Sequence, residues 1–315
     1  MFRKISLAVI PAIVLTATFS VYAQAPAGGG GQGRGTAPPP APMAIKQIKP
    51  ELYMVTGFGG NSTVRVTDQG VILVDTKNLG DGPFNDLVAQ IKTVTPQPVK
   101  LVVITHVHQD HSGNIGRFVK AGATVITHDG LKKNLETGGA DGKGYTSAAG
   151  KPDPPNETYT GKEKKISLGK AKAEIYHFGR AHTGGDSVVY FPDLKVVSLG
   201  DEFVAQPPNA DYPMGGSALE WSKVLGDVLK LDFDTAIPGH GNDPMTKADV
   251  LTFQKKFDLI AKKAIELRKK GVAKEQIRAE IQTALGADLG NWMMTGLVND
   301  MRLDAFYADL TAAAK

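Results

Sequence analysis

Apolar and polar positions change rhythm along this chain, and each change marks a different kind of segment. From Leu52 short apolar runs alternate with turns rich in Gly and Asp. Leu52–Thr56, Ser62–Thr67 and residues 71–75 read as strands, with residues 57–61 as a Gly-rich loop and Asp68-Gln69-Gly70 as a hairpin turn. Phe84, Leu87, Val88, Ile91 and Val94 recur at helical spacing, which predicts a helix over 84–94. Leu101-Val102-Val103-Ile104 reads as a buried strand. A helix through Phe118 and Val119 follows, ending near Gly122, and then a strand over 124–127. The order β, α, β, α, β argues for helices packed on sheets. Further strands are predicted at 165–168, 171–178, 187–191 and 195–199.

After Gly241 the rhythm becomes helical. Val250, Phe253, Phe257, Ile260, Ala264 and Leu267 fall three and four apart, an amphipathic helix stopped by Gly271. Residues 272–285 and 292–310 also read as helical, so residues 246–315 form a helical annex, packed on the sheets or on a second subunit. Residues 131–159 have no clear period and carry Gly138-Gly139, Gly142, Gly144 and Lys151-Pro152-Asp153-Pro154-Pro155. They read as a long irregular loop, either a lip over a site or an inert insertion.

The start of the chain stands outside this scheme. Arg3 and Lys4 precede an apolar run from Ile5 to about Thr18, and Val21-Tyr22-Ala23 forms a small-x-small cleavage site. Residues 1–23 therefore read as a secretory signal peptide. The run is shorter than the roughly 20 residues of a spanning helix, so no membrane span is expected after cleavage, an uncleaved anchor being the alternative. Residues 24–43 are an Ala-, Gly- and Pro-rich linker. The mature protein is expected in the periplasm or outside the cell.

Charge and cysteine content narrow the chemistry. With 36 basic and 32 acidic residues, the chain without Arg3 and Lys4 carries about +2. So small an excess, with no basic cluster interleaved with aromatics, argues against a nucleic-acid partner. There is no cysteine, so disulfides play no part and any metal site must use His, Asp and Glu.

Those residue types concentrate at one place. His106, His108, Asp110 and His111 supply four donors within six residues, directly after a buried strand. In extended chain His106 and His108 point to one side, while Asp110 and His111 lie on the turn, so one stretch can serve two adjacent ions. His182 sits in a Gly-flanked loop, and Asp201 and His240 each follow a strand. Five histidines and two aspartates are about what two four- or five-coordinate ions require once a bridging water is added. Imidazole and carboxylate suit two zinc ions per chain best, and also accept iron or manganese. Asp75 ends an apolar strand and reads either as a strand-end cap or as support for a ligand histidine. His128 follows a strand and reads as such a support, whereas His177 lies inside a strand and reads as structural.

At these residues the sequence resembles the metallo-β-lactamase superfamily, from about Leu52 to Gly241. Asp75, the His-x-His-x-Asp-His motif of 106–111, His182, Asp201 and His240 match its signature in order. The resemblance implies an α+β fold, a four-layer αββα sandwich spanning residues 44–245. It implies one metal on His106, His108 and His182, a second on Asp110, His111 and His240, and Asp201 bridging the two. Two departures matter. Asp201 stands where zinc β-lactamases of the commonest subclass have Cys, and Val204 stands where they have Lys and the family's lactonases have Tyr. Asp201 is similar to the bridging aspartate of thioester hydrolases and lactonases.

Two ions about 3.5–4 Å apart that share a water bring its pKa toward about 7, which supplies hydroxide at neutral pH. The expected function is an exported dinuclear zinc hydrolase that opens an ester, thioester, lactone or lactam in a small molecule. Asp110 is the candidate catalytic residue, orienting the nucleophile or passing its proton to the leaving group. The alternatives are a genuine β-lactamase and a non-catalytic periplasmic metal-binding protein. Loops 57–61, 131–159 and 203–217 are expected to set the substrate, and the oligomeric state stays open.

Overall fold

The first sheet of the computed structural model, which describes residues 42–139 and 153–314, is built in two halves. Strands β1 (Ala44–Lys49), β2 (Leu52–Thr56), β3 (Ser62–Thr67) and β4 (Gly70–Val74) form an antiparallel meander. Helix α1 (Asp81–Lys92) then returns the chain to β5 (Val99–Val103), which lies parallel to β4. Two short helices, α2 (Gln109–Ser112) and α3 (Ile115–Lys120), lead to β6 (Thr124–His128). Helix α4 (Asp129–Thr137) comes next, and β7 (Glu157–Tyr159) continues the parallel half.

The second sheet opens with β8 (Glu163–Leu168), β9 (Ala171–Tyr176), β10 (Val188–Phe191) and β11 (Val196–Ser198), all antiparallel neighbours. Helix α5 (Trp221–Val228) carries the chain to β12 (Thr235–Ile237), parallel to β11, and β13 (Met245–Thr246) closes the edge. The C-terminal helices are α6 (Lys247–Lys269), α7 (Lys274–Leu289), α8 (Met294–Leu297) and α9 (Leu303–Ala313).

Alternation along the strands decides which residues meet between the sheets. Leu52, Met54, Ile72, Val74, Val103 and Ile126 of the first sheet pack against Ala173, Ile175, Val189, Phe191, Val196 and Ile237 of the second. The intervening residues Val71, Leu73, Val102 and Val125 face outward, toward Leu87 and Ile91 of α1 and Phe118 of α3. On the far side, Val188, Tyr190, Val197 and Leu199 share one cluster with Trp221 of α5, Phe253, Phe257 and Ile260 of α6, and Ile277 and Ile281 of α7. The layers are therefore helix, sheet, sheet, helix, as expected. The C-terminal helices cover the second sheet of their own chain.

Thr246 and Asp249 form a reciprocal capping box that starts α6 directly after β13. Its face is anchored by Trp221, whose ring stacks on Phe257 at 4.4 Å between centroids.

Several sequence expectations change. The irregular loop expected over 131–159 begins as helix and ends as strand β7, while residues 140–152 lie outside the described residues. Helix α4 forms because Leu131 and Leu135, four apart, bury one face, and Gly138 ends it in the left-handed region at φ 72°. The helix expected over 292–310 is broken by Asn299, whose side chain accepts from the Arg302 backbone N–H and opens a new turn. The proposed signal peptide 1–23 and linker residues 24–41 lie outside the described residues. Met43 is already buried in the core.

Burial of α6 predicts the effect of truncation there. Phe257→Ala removes a fully buried ring and should cost about 3–5 kcal/mol in urea unfolding. A loss below about 1 kcal/mol would mean that the helix does not depend on this face.

Candidate metal centre

The parallel strand pairs β4–β5 and β11–β12 end at the same edge of the sandwich, and each delivers a polar side chain there. Asp75 follows β4; Thr105, His106 and His108 follow β5; Asp110 and His111 occupy the first turn of α2. The loop after β9 brings His182, a one-turn helix after β11 brings Asp201, and the turn after β12 brings His240. All seven residues named from sequence thus converge. They form two groups, His106, His108, His182 and Asp201, and Asp110, His111 and His240, each compact enough to hold a metal ion.

One nitrogen of four of these rings is already used. His106 Nδ1 donates to Thr105 Oγ1 at 3.1 Å, and that hydroxyl donates to Asp75 at 2.7 Å. His111 Nδ1 donates to the same Asp75 oxygen at 2.7 Å. His108 Nε2 donates to Asp211 at 2.8 Å, and His182 Nδ1 donates to the Asn209 carbonyl at 2.9 Å. Because a carboxylate or carbonyl oxygen only accepts, each tautomer follows, and the other nitrogen turns a lone pair inward. His108 Nδ1 and His182 Nε2 are left 2.9 Å apart, and His111 Nε2 and His240 Nε2 3.4 Å apart. The facing lone pairs of His108 and His182 need a proton or a cation between them. His106 Nε2 and Asp201 Oδ1 are buried with no hydrogen-bond partner, so the donor set fits a cation.

Asp201 stands between the groups. Its Oδ1 lies 3.3 Å from His111 Nε2 and 3.4 Å from His240 Nε2, while Oδ2 lies 3.6 Å from His182 Nε2 and 4.0 Å from His106 Nε2. Two glycines make room: a Cβ on Gly60 would collide with the His111 ring, and one on Gly239 with Asp201 Oδ1.

The two groups differ in charge. Burial, reinforced by neighbouring imidazoles, holds His106 well below and His182 below the ordinary histidine range. For His108 burial is outweighed by the hydrogen bond to Asp211, which raises it. In the second group burial opposes, but Asp110, Asp201 and Asp75 outweigh it and hold His111 well above its usual value. His240 is likewise raised to about 9, burial being overcome by Asp201 and Asp110. Asp201, despite burial, is held well below the carboxylate range by His240 and His111.

Asp75 resolves to the supporting role, since it orients His111 and, through Thr105, His106. His128 does not. Its Nδ1 accepts from the Gly130 backbone N–H and so caps α4, and its ring stacks on His177 at 3.9 Å. His177 is structural as expected, donating to the Asp186 carbonyl at 2.8 Å. Sequence reasoning missed Asp211 and Asn209. Both lie in loop 203–217, where nothing separates them from ordinary loop polar residues.

The chain is similar to known proteins in sequence and in fold. A sequence profile of the metallo-beta-lactamase superfamily matches residues 55–240. The metallo-beta-lactamase type 2 of Bacillus cereus is 26% identical over 215 residues, spanning 63% of this chain and 77% of that protein. Among solved structures, the DIM-1 metallo-beta-lactamase superposes with a TM-score of 0.59 at 19% identity, over 70% of this chain and 98% of that one. The sec-alkylsulfatase Pisa1 from Pseudomonas sp. gives 0.62 at 20% identity, over 76% and 45%. At such identities the structural likeness is one of fold.

The Asp211 contact predicts a measurable loss. Asp211→Ala frees the His108 ring and should weaken metal binding at the His106, His108 and His182 group by about 10–100-fold in chelator competition. An unchanged affinity would show that the ring is oriented without it.

Proposed function

The chain belongs to the metallo-beta-lactamase superfamily of metal-dependent hydrolases, and from that we propose an exported enzyme that uses two zinc ions to cleave an ester, thioester, lactone or lactam. The observation that carries the two-ion reading is Asp201, one carboxylate with an oxygen toward each histidine group. In this reading His106, His108 and His182 hold one ion, Asp110, His111 and His240 the other, and Asp201 both. Bound there, the ions supply Lewis acidity and a water acidic enough to act as nucleophile at neutral pH.

The rest of the chemistry belongs to side chains. Asp110, about a quarter exposed, and His240 lie on the open side of the centre, 3.2 Å apart. In this reading Asp110 orients the attacking water or passes its proton to the leaving group. His106 and His111 are sealed from solvent and only hold position.

Two features direct the substrate choice. A carboxylate at Asp201 replaces a thiolate, and Val204, buried in the apolar cluster beneath the loop, puts no cation where a substrate carboxylate would dock. Asp201 favours an ester or lactone, while Val204 counts against a β-lactam carboxylate and equally lacks the Tyr of the family's lactonases. A second reading, β-lactam hydrolysis, is favoured by the 26% identity to the Bacillus cereus enzyme of that name. Export rests on the basic head, short apolar run and cleavage site of residues 1–23.

A hydrolysis panel on mature protein, with metal content and intact mass recorded, tests these points together. The expected outcome is a chain starting near Gln24, two ions per chain, and ester or lactone turnover above that of penicillins and carbapenems. One ion per chain after zinc addition would sink the dinuclear reading, and dominant carbapenem turnover would favour the second one.

Proton competition should distinguish the two groups. In the second group His111 and His240 both hold protons that a metal must displace, whereas in the first only His108 is raised. Affinity at the second group should therefore rise more steeply with pH and level off only above about 9, each displaced proton contributing about tenfold per pH unit. Equal slopes for the two ions in zinc titrations from about pH 6 to 9 would contradict this assignment.

A further inference from the structure

Lys77 is a lysine where nothing in the chemistry above calls for one. It lies fully buried three residues beyond β4, in the left-handed region at φ 66°. No carboxylate pairs with it among the described residues. Its Nζ instead donates to two backbone carbonyls, Val55 and Gly60, each at 2.7 Å. Burial pulls its pKa down to about 7, with Asp75 and Asp110 pulling the other way. Burying an ammonium so thoroughly is costly, and a methionine would fill the same space without that penalty.

The two carbonyls begin and end the segment from β2 into loop 57–61, and that loop touches one half of the metal centre. Gly60 N–H donates to the Asp110 carbonyl at 3.1 Å, and the Gly60 Cα lies flat against the His111 ring. Asn61 N–H donates to the Gly239 carbonyl at 2.7 Å. The Asn61 amide reaches the carbonyls of Pro238 and Gly241, each at 2.9 Å, so both sides of His240 are held. Asn78 N–H, next to Lys77, fixes the Phe58 carbonyl at 3.1 Å. His106, His108 and His182 take none of this support. They lean on Thr105, Asp211 and Asn209.

We propose that Lys77 is a positioning residue: by clamping the Val55 and Gly60 carbonyls it holds loop 57–61 against Asp110, His111 and His240, and so sets that half of the centre alone. The proposal rests on the two-ion reading. It also makes a prediction of sign. Removing a cation near Asp110 would, by charge alone, tighten a divalent ion there. Releasing the loop would loosen it.

The test is zinc titration of full-length mature wild type and Lys77→Met, with a competing chelator that resolves two affinities. For Lys77→Met the His106, His108 and His182 group should keep its affinity within about threefold while the Asp110, His111 and His240 group weakens by about 10–100-fold. A second affinity that is unchanged or tighter overturns the proposal, and so does an equal weakening of both, which marks a merely structural residue. Should Lys77→Met fail to fold, Asn61→Ala cuts the same loop from His240 and must give the same one-sided loss; a null or two-sided effect overturns the proposal. Wild type that binds one ion removes the dinuclear reading itself, and this proposal falls with it, a result distinct from every variant outcome.

Discussion

One buried carboxylate governs the arrangement of this molecule. Asp75 accepts from the Thr105 backbone N–H at one oxygen and from Thr105 Oγ1 and His111 Nδ1 at the other, each at 2.7 Å. It follows β4, and all three donors follow β5. The contact therefore fixes the register of two parallel strand ends as well as the tautomer of two imidazoles, His111 directly and His106 through Thr105. Asp75 holds φ 62°, a conformation that costs a non-glycine residue of order 1–3 kcal/mol. That strain persists because the hydrogen bonds around it leave no alternative.

From there the centre is assembled out of opposed charges. Asp110 and Asp201 approach each other with histidines between them, and their charge holds His111 and His240 above the ordinary histidine range. The other half, His106 and His182, is held neutral by burial. The same seven side chains thus form two halves of unlike charge, the first with only His108 raised and the second with both His111 and His240 raised.

Much of this was legible in the sequence because it is carried by spacing. The His-x-His-x-Asp-His run, the apolar strands before Asp75, His106 and Asp201, and the stripe from Val250 to Leu267 have the same period in sequence and in space. What could not be read is carried by contacts between distant segments. Asp211 reaches His108 across 103 positions and Asn61 reaches Gly241 across 180, and neither has a local pattern to announce it. Lys77 was invisible for a different reason: a lysine after a strand is ordinarily solvated, and only the closure of loop 57–61 over it makes it an interior donor. Helix α4 was missed because its short stripe, Leu131 and Leu135, is followed by glycines that made the whole stretch look irregular.

The C-terminal helices do more than cover a sheet. Leu297, just before the Asn299 turn, accepts from the Ala210 backbone N–H at 3.3 Å, and Asp309 of α9 accepts from Arg180 at 2.7 Å. Arg180 in turn holds the Gly215 carbonyl at 3.0 Å. Residues 209–211, which orient His182 and His108, are therefore braced by the helices that follow β13, Ala210 directly through Leu297 and Asp211 through Gly216 and Arg180. The His108 and His182 rings thus take part of their orientation from helices packed on the outer face of the second sheet, so a change in that helical packing is felt at the metal centre.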